Sequence, residues 1–93
     1  MTDKRFSSVW DALEDTPADA ENMKLRSKLA MTLKDYITRQ GLTQAEAAKA
    51  FGVTQPRISD LVRGKIDLFG LDALVNMASA AGLRIEITIL EAA

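Results

Sequence analysis

The sequence predicts a mainly α-helical domain of five helices, closed by a C-terminal β-strand that pairs across a homodimer. Three features carry that reading. Apolar residues recur every three or four positions through most of the chain, the period of a helix face. Capping residues and glycine terminators cut that pattern into one long piece and several short ones. Over residues 83–90 the period falls to two, the alternation of a half-buried strand. The chain therefore divides into an N-terminal acidic segment with a short helix (1–16), a helical body (17–82) and a C-terminal strand (83–90). Its 93 residues allow one domain with a thin core, which association with a second copy would reinforce.

Residues 1–7 read as a polar tail. Ser8 and Asp11 make an S-x-x-D cap for a first short helix ending near Leu13 and carrying Val9, Trp10 and Leu13. Thr16-Pro17-Ala18-Asp19 starts the second helix: a cap, then a proline where a missing N–H matters little, then an acid at the third position. That helix runs to Gln40, with Gly41 as its terminator. Leu25, Leu29, Leu33 and Ile37 recur every four residues, with Ala30 and Tyr36 alongside, and form the stripe that faces the rest of the domain. Lys24, Lys28, Lys34 and Arg39 point elsewhere.

Thr43 and Glu46 form a T-x-x-E capping box that opens the third helix at Gln44. It has room for two turns before Gly52, which permits the positive-φ corner of a tight turn. Thr54 caps the fourth helix, Pro56 lies in its first turn, and Gly64 ends it. Small Ala48 lies four residues before Gly52 and Ile58 six after it, with Ala47, Val53 and Leu61 completing the apolar set. Two helices crossing steeply over a short turn need a small residue at the closest approach and a branched plug from the second helix. Residues 43–64 are therefore a helix-turn-helix motif, shaped to place its second helix in the major groove of DNA. Ile66 to Phe69 follow as a short connector. Gly70 starts the fifth helix, which runs to about Ala81, is closed by Gly82 and presents Leu71, Leu74, Val75 and Ala78.

In the tail, Leu83, Ile85, Ile87 and Ile89 alternate with Arg84, Glu86 and Thr88. No second strand is apparent anywhere in the chain. A lone apolar strand leaves its backbone groups unpaired. Pairing with the same strand of a second copy across a two-fold axis satisfies them, and makes these four residues the dimer interface. The alternatives are a strand docked on its own helices, or a helix continuing past Gly82, against which the β-branched content speaks.

Composition excludes much. With no histidine and no cysteine there is no His/Cys zinc site, no imidazole base and no thiolate nucleophile, and no phosphate loop or acidic pair suggests an enzyme. No metal or cofactor is expected. No stretch approaches the ~18 apolar residues of a membrane span, so a cytoplasmic protein without a membrane partner is expected. A net charge of −1 looks wrong for a DNA binder, but its distribution is uneven. Residues 1–21 hold two basic and six acidic residues, residues 22–66 nine against three, and residues 67–93 one against four. The basic excess coincides with the motif and the helix before it, and a phosphate backbone responds to such a local patch.

With Ile58, Leu61 and Val62 facing the core, Pro56, Ser59, Asp60 and Arg63 point outward on the helical wheel, flanked by Gln55 and Arg57. The expected base contacts are Gln55 to adenine, Arg57 to guanine, Pro56 against a thymine methyl, Asp60 accepting from cytosine, and Ser59 to a base or a phosphate. Gln44, with Thr43 and the helix dipole behind it, and Thr54, Arg63 and Lys65 are the expected phosphate contacts.

The run from Gly41 to Lys65, GLTQAEAAKAFGVTQPRISDLVRGK, resembles the phage-repressor, or XRE, class of helix-turn-helix proteins. In that class the positions of Gln44 and Gln55 are often DNA-contacting glutamines, whereas Pro56 departs from the glutamine or serine of several phage repressors. A looser match from Asp15 to Leu90 is similar to the small HigA-type antitoxins and their stand-alone regulator relatives. The resemblance implies a homodimeric repressor of an inverted-repeat operator on double-stranded DNA. It also implies a toxin–antitoxin pair, in which the protein neutralises a small basic RelE/HigB-like toxin and represses the shared promoter. The acidic N-terminal segment suits such a partner, with Val9, Trp10 and Leu13 as its apolar face, although the same residues could pack on the protein's own core. A stand-alone regulator would share the DNA site and lack the toxin.

Overall fold

The computed structural model describes residues 16–91, so the short helix expected at residues 8–13, with Val9, Trp10 and Leu13, lies outside them. Four α-helices and one 3-10 turn follow in order among the described residues: α1 (Pro17–Gln40), α2 (Gln44–Phe51), α3 (Gln55–Val62), the turn η1 (Ile66–Leu68) and α4 (Leu71–Ala80). Capping chemistry sets the starts of α1 and α2. Thr16 Oγ1 accepts from the Asp19 N–H at 3.0 Å, and Asp19 accepts from the Thr16 N–H at 3.5 Å. Thr43 and Glu46 repeat the arrangement at 3.1 and 2.8 Å, the side chain of Glu46 reaching back more closely than that of Asp19.

Thr54 departs from expectation. It occupies the N-cap position of α3 with extended backbone, but its hydroxyl makes no capping bond. The reason is local. The next-but-one residue is Pro56, which has no N–H to offer, and the Arg57 N–H already donates to the Thr54 carbonyl at 3.1 Å. The cap is a backbone cap, and the side chain is left for other partners.

All four helices end alike. Gly41, Gly52, Gly64 and Gly82 have φ between 65° and 80°, and the residue after each donates its N–H to a carbonyl five residues back. At the central corner the Val53 N–H reaches the Ala48 carbonyl at 3.0 Å. That bond reverses the chain within two residues and sets α3 against α2.

Ala30, Leu33 and Ile37 of α1 meet Ala47, Ala48 and Phe51 of α2, Ile58 and Leu61 of α3, and Leu74, Met77 and Ala78 of α4 in one core. Ala47 and Ile58 are fully buried, a small residue and the branched plug expected where α2 and α3 pack. Two aromatic residues hold more of this core than periodicity suggested. Phe51 lies under the corner and tilts against Tyr36 with ring centroids 6.0 Å apart. Phe69, expected in a mere connector, is fully buried.

Other departures concern the edges. Residues 17–25 are exposed throughout, so Leu25 does not join the stripe; the first turns of α1 extend past the core. On α4, Val75 is exposed and Met77 takes the buried place. Residues 83–91 carry no regular secondary structure, so the expected strand is not formed within one chain. A strand needs a neighbour for its ladder, and no strand occurs among the described residues. Leu83 and Ile85 pack half-buried against the chain's own core, whereas Ile87 and Ile89 are 71% and 90% exposed.

Candidate nucleic-acid interface

Corner and plug together orient α3. Ile58 and Leu61 are buried beneath it, Val62 is half-buried beside them, and one side of the helix therefore stays in solvent. Gln55 and Pro56, in its first turn, are exposed, as are Thr54 just before it and Arg63 and Lys65 just after it. Thr43 and Gln44, at the start of α2, are exposed as well. The Thr43 hydroxyl accepts from Glu46, which leaves its proton free to donate outward. The unused Thr54 hydroxyl can donate or accept.

Three of the expected base contacts are less open. Ser59 and Asp60 are half-buried. Arg57 is committed to the protein: its Nη1 donates to the Leu68 carbonyl at 3.0 Å, and its guanidinium carbon stands 4.1 Å from the centroid of the Phe69 ring. The distance suits a cation–π stack. The helical wheel flanks the outward face with Arg57 and directs it to a guanine, whereas the structure turns it toward η1.

Arg26 was missed altogether. It lies on α1 one turn before Ala30, within the apolar stripe, and its Nη1 makes a long contact to the Phe69 carbonyl at 3.5 Å. Its Nε is buried and has no hydrogen-bond partner among the described residues. The signal was present in the sequence, because a basic residue four positions before a core alanine falls on the inner face of a helix. Together Arg57 and Arg26 approach the consecutive carbonyls of Leu68 and Phe69, which close the connector between the motif and α4.

The rest of the basic excess is spread over solvent. Lys24, Lys28, Lys34 and Lys49 are exposed. Arg39 is held locally by Asp35, Nε to carboxylate at 2.9 Å, with both side chains more than half exposed, so the pair is screened and weakly stabilising. No helix among the described residues is long and apolar enough to cross a membrane.

A family model described as "Helix-turn-helix domain" matches residues 12–90. A solved structure described, provisionally, as an XRE family transcriptional regulator is 34% identical, with a TM-score of 0.72, over 80% of this chain and 83% of that one. This chain belongs to the XRE-type helix-turn-helix family. No curated protein matches it. The XRE-type family is one of DNA-binding transcription regulators, and the corner at Gly52 with α2 and α3 on either side is its defining element here. The family match runs on through η1, α4 and most of the tail.

Proposed function

We propose that this XRE-type protein is a sequence-specific transcriptional repressor that binds an inverted-repeat operator as a homodimer. The observation that carries the reading is the exposed first turn of α3, with Gln55 and Pro56 open to solvent above a buried Ile58 and Leu61. A helix held from below with its N-terminal residues free is the arrangement that meets base edges. Gln55, Pro56, Ser59 and Asp60 read bases, while Thr43, Gln44, Thr54, Arg63 and Lys65 hold phosphates. The homodimer is supported by the exposed apolar run Ile87, Ile89 and Leu90, which a second copy would cover by strand pairing.

We further propose that the protein is the antitoxin of a two-gene pair and neutralises a small basic RelE/HigB-like toxin. The acidic balance of residues 1–21, with Val9, Trp10 and Leu13 among them, supports this, as does the resemblance to HigA-type antitoxins. The competing reading is a stand-alone regulator, and the description of the solved neighbour as a transcriptional regulator fits both. Affinity purification of the tagged protein from its native cells, after nuclease treatment, separates them. Stoichiometric retention of one small basic protein supports the antitoxin reading, and recovery of the dimer alone supports the stand-alone regulator. Selection from a randomised duplex pool tests DNA reading in either case: an inverted repeat should emerge.

A further inference from the structure

We infer that Arg57 is a positioning residue that sets the rotation of α3 about its own axis, and does not read a base. The inference rests on the proposed DNA reading. It starts from the helical wheel. Gln55 and Arg57 are two residues apart, so their side chains leave α3 about 200° apart. With Ile58 and Leu61 buried, the two residues flank the core stripe on opposite sides. The flank of Gln55 is open, and that of Arg57 lies against η1. A side chain that leans back onto the protein from one flank cannot share a groove with one that leaves the other flank.

Arg57 is also built in. Its guanidinium stacks on Phe69, which is fully buried and therefore cannot follow a moving arginine, and it donates to the Leu68 carbonyl. Reaching a guanine would mean giving up both the stack and the hydrogen bond. Phe69 and the Leu68 carbonyl are thus a fixed point, and the arginine is a strut from it to the first turn of α3. The strut decides how Gln55 and Pro56 meet the bases.

The test measures DNA binding by wild type, Arg57→Met, Phe69→Leu and the double variant. Titrations use the selected operator and its single-base-pair variants, below each protein's melting transition, with folding checked by circular dichroism. Arg57→Met keeps length and contact with the ring while removing charge and donors. Phe69→Leu keeps an apolar plug while removing the ring. Each single variant should lose affinity for the operator roughly tenfold, with discrimination weakened together at the base pairs that Gln55 and Pro56 read. The double variant should be little worse than either single one, because both remove the same strut. A purely structural role would lower the melting temperature and leave the affinity of the folded protein intact.

Three results overturn the inference: discrimination collapsing in Arg57→Met at a single base pair while that at the pair read by Gln55 is preserved, its salt slope falling by about one, or its affinity staying unchanged. Should Phe69→Leu not fold, Arg57→Met alone decides among them. Failure of the wild type to select any sequence would instead remove the DNA reading itself.

Discussion

Gln55 and Arg57 are both long, polar and placed in the first turn of α3, yet their surroundings differ. Gln55 is exposed and has no partner within the chain among the described hydrogen bonds, so its amide can offer one donor and one acceptor to an adenine edge. Replacing it with alanine removes that pair and nothing that the core depends on. Gln55→Ala should therefore weaken operator binding by ~1–3 kcal/mol and relax one base position in each half-site. The thermal transition should not move. A titration against all single-base variants checks this, and an unchanged profile would remove Gln55 from the reading set. Arg57 resembles Gln55 in sequence and differs in structure, because only the fold reveals the buried ring beside it.

The two threonines that open α2 and α3 offer a matched pair at the next level of organisation. Thr43 closes a reciprocal capping box with Glu46, whereas Thr54 makes no side-chain cap. Thr43→Ala should cost about 1 kcal/mol of stability, since it leaves an orphan N–H at the start of α2. Thr54→Ala should leave the urea midpoint nearly unchanged and still weaken DNA binding, because its free hydroxyl faces solvent beside the first turn of α3. Equal destabilisation by the two substitutions, measured by urea unfolding, would contradict the difference in capping. The helices themselves were readable because each carries its own start and stop: the caps at Thr16 and Thr43, and the glycines at 41, 52, 64 and 82, need no knowledge of the rest of the chain. What was not readable depends on contacts distant in sequence. Phe69 follows a three-residue turn, too short to show any period, and its burial depends on helices packed around it. Arg26 and Arg57 find their carbonyl partners 43 and 11 residues away. The cap at Thr54 failed for a local reason that was legible, the proline two positions later, but the capping rule alone does not weigh it.

The tail raises the question of the whole molecule, because one copy satisfies its pattern only in part. Leu83 and Ile85 are half-buried on the chain's own core, so the alternation is satisfied within one copy at its start. Ile87, Ile89 and Leu90 are 71%, 90% and 82% exposed, so beyond Ile85 it is not. An exposed apolar segment outside any regular element would offer its backbone to a second identical segment as a template for strand pairing. Two copies related by a two-fold axis would present two α3 helices, and a separation of about 34 Å would place them in successive major grooves. On the proposed reading one copy would contribute a single short helix and a few phosphate contacts, too little for useful discrimination. The double variant Ile87→Asp with Ile89→Asp separates assembly from folding, since neither residue touches the core. It should sediment at the mass of one chain, keep the helical spectrum and melting transition, and lose most of its affinity for the inverted repeat. The remaining binding should be the same for a full operator and for an isolated half-site. Should the variant still sediment as a dimer, the pairing surface lies elsewhere. Should it unfold, the tail holds the domain together, and the alternation at 83–89 serves the core of a single chain.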